Sequence, residues 1–186
     1  MSATTTKARP ARVSFASLTP NNLGTVRKLN SVLFPIKYSE KFYGEILAPE
    51  VEDFCKLATP YAPSTSAYYN DIPVGTICCR MEAKDGIAHL YLLTMGVLAP
   101  YRHLGIGSQC MNLIISAAAN HERPKIDRIH LHVQISNQDA KKFYERHGFK
   151  EVGVDENYYK KIKPSGAWVL ERDAHAPVEI VQGSAK

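Results

Sequence analysis

Residues Tyr101–Gly107 read YRHLGIG. A β-rich run, HLYLLTMGVLAP (89–100), precedes them, and a helical run, GSQCMNLIISAAANHE (107–122), follows. A glycine-rich turn at the entrance of a helix suits a phosphate, because the first N–H groups of a helix are unpaired and sit at the positive end of its dipole. A nucleotide triphosphatase loop needs Gly-Lys-Ser/Thr, and here Ser108 follows Gly107 with no lysine. A dinucleotide fingerprint needs three spaced glycines, which are also missing. On these residues alone, a phosphate cradle and a plain structural turn both stay open.

Working outward, Ala88–Leu98 forms one long strand, entered by a turn at Asp85-Gly86. DRIHLHVQI (127–135) is the next strand, and the helix between them runs to about Glu122. That order predicts parallel neighbours joined by a right-handed crossover. Gly96 inside the first strand suggests a bulge there. SNQDAKKFYERHG (136–148) is a helix closed by Gly148, and FKEVGV (149–154), NYYKKI (157–162) and AWVLER (167–172) read as late strands.

Toward the N-terminus, RVSFASL (12–18) alternates as a first strand. Thr19 as N-cap and Pro20 at the first helical position open a helix over 19–34, with Val26, Leu29, Val32 and Leu33 as its apolar stripe. Pro35 in FPIKY (34–38) ends it, and Ser39 caps a second helix, EKFYGEIL (40–47). TPYAPSTS (59–66) reads as a Pro/Ser loop, and AYYNDIPVGTICCRM (67–81) as a hairpin turning at Asn70-Asp71. The pattern is that of an α/β (α+β) chain with a mixed central sheet. One domain is expected over 12–173, with a disordered extension at 1–11 and a flexible tail at 174–186.

The net charge of +5 suits an anionic ligand or an acidic partner, and it is too weak to argue for direct contact with nucleic acid. No apolar run approaches a membrane span, so no membrane partner is expected. Cys55, Cys78, Cys79 and Cys110 form neither a CxxC nor a zinc-like spacing. They read as reduced, buried thiols of a cytoplasmic or nuclear protein, with no metal.

His130, His132 and Gln134 alternate with Ile129, Leu131, Val133 and Ile135. A polar strand face of that kind need not do anything. Tyr91, by pattern, belongs to the core.

The pattern Arg102-x-x-Gly105-x-Gly107 lies after a glycine-bearing strand and ahead of NQDAKKFYERHGF (137–149). In that setting it resembles the GCN5-related N-acetyltransferase superfamily over about Val13 to Arg172. LNSVLFPIKYSEKFY (29–43), LAPYRHLGIG (98–107), LHVQISNQDAKKFYERHGF (131–149) and NYYKKIKP (157–164) together look like the catalytic subunit of NatE-type N-terminal acetyltransferases. The resemblance implies the fold of that superfamily, with a mixed sheet of about seven strands flanked by about four helices. It implies acetyl transfer from acetyl-CoA to the α-amine of a peptide or nascent chain, with preference for an initiator Met followed by an apolar residue. A second activity of the same fold is acetylation of lysine side chains. A third reading is a mainly structural subunit of a ribosome-associated complex, and a NatA-type complex is the implied partner.

By that resemblance Tyr91 and His132 are the catalytic pair. A bulge after Leu93 frees backbone N–H groups near Met95 and Val97, and with Arg102, His103, Leu104, Gly105, Ile106, Gly107 and Ser108 these hold acetyl-CoA, with Asn137 on its far arm and Tyr144 at the departing sulfur. Phe34, Pro35, Ile36, Tyr38, Leu93, Tyr158, Tyr159 and Ile162 take the peptide N-terminus. Because Tyr91 and His132 lie on adjacent strands, they are expected to face one cavity, too far apart to be a dyad and joined by a water. The chain departs from the family pattern in its 58–67 loop, in both tails, and in His130, where relatives often carry an aromatic residue.

Overall fold

The computed structural model describes residues 12–61 and 72–177. Seven strands form a single mixed sheet in the order β1-β2-β3-β4-β5-β7-β6. The strands are β1 Arg12–Ser17, β2 Lys56–Tyr61, β3 Gly75–Lys84, β4 Ile87–Val97, β5 Ile126–Gln134, β6 Lys150–Asp155 and β7 Ala167–Asp173. The helices are α1 Leu23–Leu33, α2 Glu40–Glu45, α3 Ile106–Asn120 and α4 Gln138–Glu145, with short 3₁₀ helices at Pro49–Phe54 and Ala99–Tyr101.

The first helix starts later than its sequence suggests. Asn22, not Thr19, is the N-cap residue, and α1 begins at Leu23. The Asn22 side chain is drawn into the preceding turn, where Oδ1 accepts from Thr19 N at 2.9 Å and Nδ2 donates to Ser17 O at 2.9 Å. Those bonds stabilise a turn over 19–22 that competes with the helix. Val26 and Leu29 are buried as expected, but Val32 is 63% exposed. Ser39 does cap α2, its Oγ accepting from Phe42 N at 3.3 Å, a contact worth about 1 kcal/mol.

One strand is absent from the sequence reading. Lys56–Tyr61, taken in part as loop, is β2, paired antiparallel with β1 along its whole length and with β3 through Ala58. Tertiary pairing on both edges overrides the weak propensity of LATPY. The turn expected at Asn70-Asp71 lies outside the described residues. Asp85 and Gly86, at φ 52° and 78°, make the tight β3–β4 turn as expected. NYYKKI is a loop and not a strand.

The four cysteines are free and buried. Burial pushes each thiol up, Cys110 to about 12, so all four stay protonated and packed. α3 buries Ile106, Cys110, Met111, Ile114, Ile115 and Ala118, and it lies against β4 and β5.

Candidate active site

β4 and β5 run parallel, as the strand–helix–strand order predicts, but they pair only from Ala88↔Ile126 to Tyr91↔His130. Beyond that point β4 keeps its β3 ladder, while β5 keeps its β7 ladder. The two strands part because β4 carries an extra residue. Thr94 opposes Cys78 and Leu92 opposes Cys79, which leaves Leu93 as the bulge. The bulge falls at Leu93, where the strand is expected to splay, whereas Gly96, also expected to mark a bulge, pairs in register with Thr76. Glycine at 96 serves a close approach instead, since a Cβ there would meet Leu33 Cδ1 at 2.9 Å and Phe34 Cζ at 3.1 Å.

The parting opens a cleft of about 1300 Å³ between Leu92–Val97 on one side and Leu131–Gln134 on the other. Met95 and Val97 lie on this length of β4, paired with β3 but unpaired on its β5 side. Such a length has main-chain groups turned away from any ladder, free for a ligand amide or carbonyl.

At the apex stand Tyr91 and His132. The Tyr91 hydroxyl and His132 Nδ1 share a direct hydrogen bond of 3.0 Å. The expectation of a pair too distant to act as a dyad is thus wrong. A tyrosine spans the diagonal to the residue two places beyond its partner, and the hydroxyl closes the gap without a water. The same hydroxyl bonds to that of Tyr158, whose ring stacks on His132 at 4.1 Å and 10°. His132 lines the cleft, whereas Tyr91 is buried behind it.

Burial, with the nearby His130, holds His132 below its usual range. It is therefore a neutral base at physiological pH, with one donor and one acceptor nitrogen. Burial and the Tyr158 hydroxyl push Tyr91 well above the usual phenol range, so it keeps its proton.

Tyr158 is held over His132 by a pinned loop. Tyr159 N donates to Ser165 O at 2.8 Å, and Ser165 Oγ donates to Glu156 O at 2.9 Å. Gln134 Nε2 donates to Pro164 O at 2.8 Å, which ties the loop to the end of β5.

The turn 102–107 also lines the cleft, through Arg102, His103, Gly105, Ile106 and Gly107. Arg102 Nε donates to Val97 O at 3.0 Å, anchoring the turn to the end of β4. His103 and Gly105 adopt left-handed conformations, φ 64° and 77°. Gly105 caps α3, whose first N–H groups, from Ile106, Gly107 and Ser108, have no partner within the helix. A Cβ on Gly107 would touch the Phe143 ring at 3.5 Å, an ordinary contact, so its own fold does not require glycine there. Among the turn residues Leu104 alone does not line the cleft, and it points toward solvent. Asn137 lines the cleft and also caps α4, its Oδ1 accepting from Ala140 N at 3.1 Å. Tyr144 is a buried lining residue whose phenol burial keeps protonated.

Phe34, Pro35, Ile36, Tyr38, Leu93, Tyr158, Tyr159 and Ile162 all line the cleft. Tyr38 meets Phe34 edge-on at 6.0 Å and stacks on Phe42 at 4.3 Å, which makes one apolar wall. Burial raises Tyr159 to about 12.

Sequence reasoning missed a stripe on α4. Asp139, Lys142, Phe143 and Arg146 line the cleft at i, i+3, i+4 and i+7. That spacing is one helix face and was the available signal. Lys142 and Arg146 add positive charge near the turn. An anionic, elongated ligand fits this donor set. Among the described residues no group of three or more His, Cys, Asp or Glu could hold a metal ion.

Residues 25–149 match the acetyltransferase (GNAT) family, and the chain belongs to it. It is 40% identical to N-alpha-acetyltransferase 50 of Danio rerio, over 89% of this chain and 91% of that protein. It is 41% identical to the probable N-acetyltransferase san of Drosophila melanogaster, over 86% and 80%. Among solved structures, Naa50 of Arabidopsis thaliana in complex with the bisubstrate analogue CoA-Ac-MVNAL superposes with a TM-score of 0.75 at 39% identity, covering 87% of this chain and 98% of that one.

Proposed function

We propose that this acetyltransferase carries acetyl from acetyl-CoA to the α-amine of protein N-termini and prefers Met followed by an apolar residue. The observation that carries this reading is the position of Tyr91 and His132. They meet where β4 and β5 cease to pair, and His132 lines a cleft that the 102–107 turn and an aromatic, apolar wall also line. The similar Arabidopsis protein is bound to an analogue whose peptide begins Met-Val.

A free α-amine has a reference pKa of about 7.7–8.0, so part of the substrate is already neutral at cellular pH. His132 accepts the proton that the amine loses on attack. With Nδ1–H donating to the Tyr91 hydroxyl, Nε2 carries the lone pair that takes the amine proton. Main-chain N–H groups of β4, on the side unpaired with β5, stabilise negative charge at the thioester oxygen. The Tyr144 phenol, kept protonated by burial, donates a hydrogen bond to the departing thiolate, which takes its proton from water as His132 releases the amine proton to solvent. The N–H groups of Ile106, Gly107 and Ser108, with Arg102, His103 and Gly105 shaping the turn, hold the pyrophosphate.

Phe34, Pro35 and Ile36 wall the first side chain. Each methylene left unburied forgoes about 0.8 kcal/mol, and tenfold in rate is about 1.4 kcal/mol. A Met side chain is therefore worth roughly one to two orders of magnitude in kcat/KM over Ser. A peptide library varied at the first two residues tests this. Equal kcat/KM for Ser-, Glu- and Met-Leu-initiated peptides rejects the pocket. Association with a NatA-type complex at the ribosome, in the cytoplasm or nucleus, belongs to the same proposal, and co-purification of the full chain with ribosomes tests it.

A further inference from the structure

Tyr91 has a neighbour on each side across the sheet: Arg80 on β3 and His130 on β5. The His130 ring stacks on the Tyr91 ring at 4.8 Å and 14°. The Arg80 guanidinium sits over the same ring, its Cζ 5.3 Å from the centroid. Glu82 joins the two. One carboxylate oxygen accepts from Arg80 Nε at 3.0 Å, and the other lies 3.2 Å from His130 Nε2. Glu45 on α2 holds Arg80 from outside, at 3.4 Å.

We infer that His130 is a positioning residue: with Arg80 and Glu82 it clamps the Tyr91 ring so that the hydroxyl meets Nδ1 of His132. Rotation about Cα–Cβ swings a phenol ring and displaces its hydroxyl unless the faces of the ring are occupied. Stacking and a cation over the ring occupy both, and each such contact is individually modest. The carboxylate bridge makes them one unit, which holds the hydroxyl on the diagonal to His132. An aromatic carbocycle at 130 could stack on Tyr91, but it could not bond Glu82.

The clamp has an electrostatic consequence. His130 Nδ1 is buried with no partner among the described residues, so a proton there is poorly accommodated. The charged and titratable groups around His130 are Glu82 and Arg80 on β3, His89 and Tyr91 on β4, His132 on its own strand, and Glu171 on β7, which Arg128 Nη1 contacts at 3.0 Å. Burial outweighs the two carboxylates and holds His130 below its usual range. A proton gained at His130 disfavours one at His132, its neighbour on the same face.

The test rests on the proton-path reading of Tyr91 and His132, and one of its measurements is independent of activity. The full chain with ¹³C-labelled histidine is titrated by NMR, as wild type, His130→Phe and Glu82→Gln, beside steady-state kinetics of the same variants and of His130→Ala. His132 is expected to titrate at higher pH in His130→Phe, where the neighbouring charge is gone. It is expected at lower pH in Glu82→Gln, where an attracting charge is gone. Turnover at pH 8 should fall about tenfold in His130→Ala and Glu82→Gln, well short of the roughly hundredfold that a 1 Å misplacement can cost. The acetyl-CoA KM should stay within twofold. A His132 titration identical in all three proteins, or undiminished turnover in both His130→Ala and Glu82→Gln, overturns the clamp. If His130→Ala does not fold, His130→Phe and Glu82→Gln decide alone. Full activity of Tyr91→Phe would instead reject the proton path, and the NMR titrations would still report on the clamp.

Discussion

The Tyr91 hydroxyl and His132 Nδ1 stand 3.0 Å apart, although the strands that carry them cease to pair at Tyr91↔His130. The hydrogen bond crosses the sheet at the point where the cleft begins. It makes the two side chains one unit, and units respond to mutation differently from independent sites.

Tyr91→Phe and His132→Ala are each expected to lower kcat by roughly 10²–10⁴-fold, the usual contribution of positioned acid–base groups. The double variant should cost little more than the worse single one, since each change already breaks the shared bond. The acetyl-CoA KM should move little, because neither residue lies in the 102–107 turn. A double-mutant cycle in kcat measures this, and strictly multiplicative losses would contradict a dyad.

Gly105 and Gly107 should separate stability from binding. Gly105, at φ 77°, lies where an L side chain costs about 1–2 kcal/mol. Gly105→Ala should therefore lower Tm as well as acetyl-CoA affinity. At Gly107 a methyl meets only Phe143, at ordinary distance. Gly107→Ala should keep or raise Tm, since alanine exceeds glycine in a helix by up to about 1 kcal/mol. It should nonetheless weaken acetyl-CoA, because its methyl stands in the cradle. Calorimetry of acetyl-CoA binding beside thermal melts tests both. Wild-type affinity in a folded Gly107→Ala would remove that residue from the phosphate site.

Stability should depend on pH through buried histidines. Burial holds His130, His132 and His147 below their ordinary value in the fold, against about 6.5 in the unfolded chain. Between those values the unfolded chain binds more protons. Stability thus rises with pH through the window and is lost on acidification below about 6.5. Above that, these groups add no further dependence. Urea midpoints at pH 7.5, 6.5 and 5.5 should fall toward acid, and His147→Phe should shrink the fall. A flat profile would mean that the three imidazoles are solvated.

Much of the frame was legible locally. Ser39, Pro35 and Asp85-Gly86 act through their own backbone preferences, and each lies where its residue type predicts; Gly148 is left-handed, at φ 81°, but Arg146 and not Gly148 is the C-cap of α4. The alternation of His130, His132 and Gln134 against Ile129, Leu131 and Val133 reports which face of β5 is apolar, because side chains alternate along any strand. The turn 102–107 announces itself by Arg102, Gly105 and Gly107 at the mouth of a helix.

Other features depend on what packs against what. β2 is a strand because β1 and β3 pair with it, and nothing in KLATPY says so. Asn22 replaces Thr19 at the start of α1 because its side chain finds Ser17 and Thr19 first. Gly96 pairs in register although a glycine within a strand suggests a bulge, and the strand bulges at Leu93 alone, because register belongs to the pair of strands and not to either one. Whether Tyr91 and His132 touch was beyond the sequence for the same reason. Local residues determine which way each side chain faces, but the distance between two faces is set by ladders, bulges and ring stacks that exist only after the chain has folded.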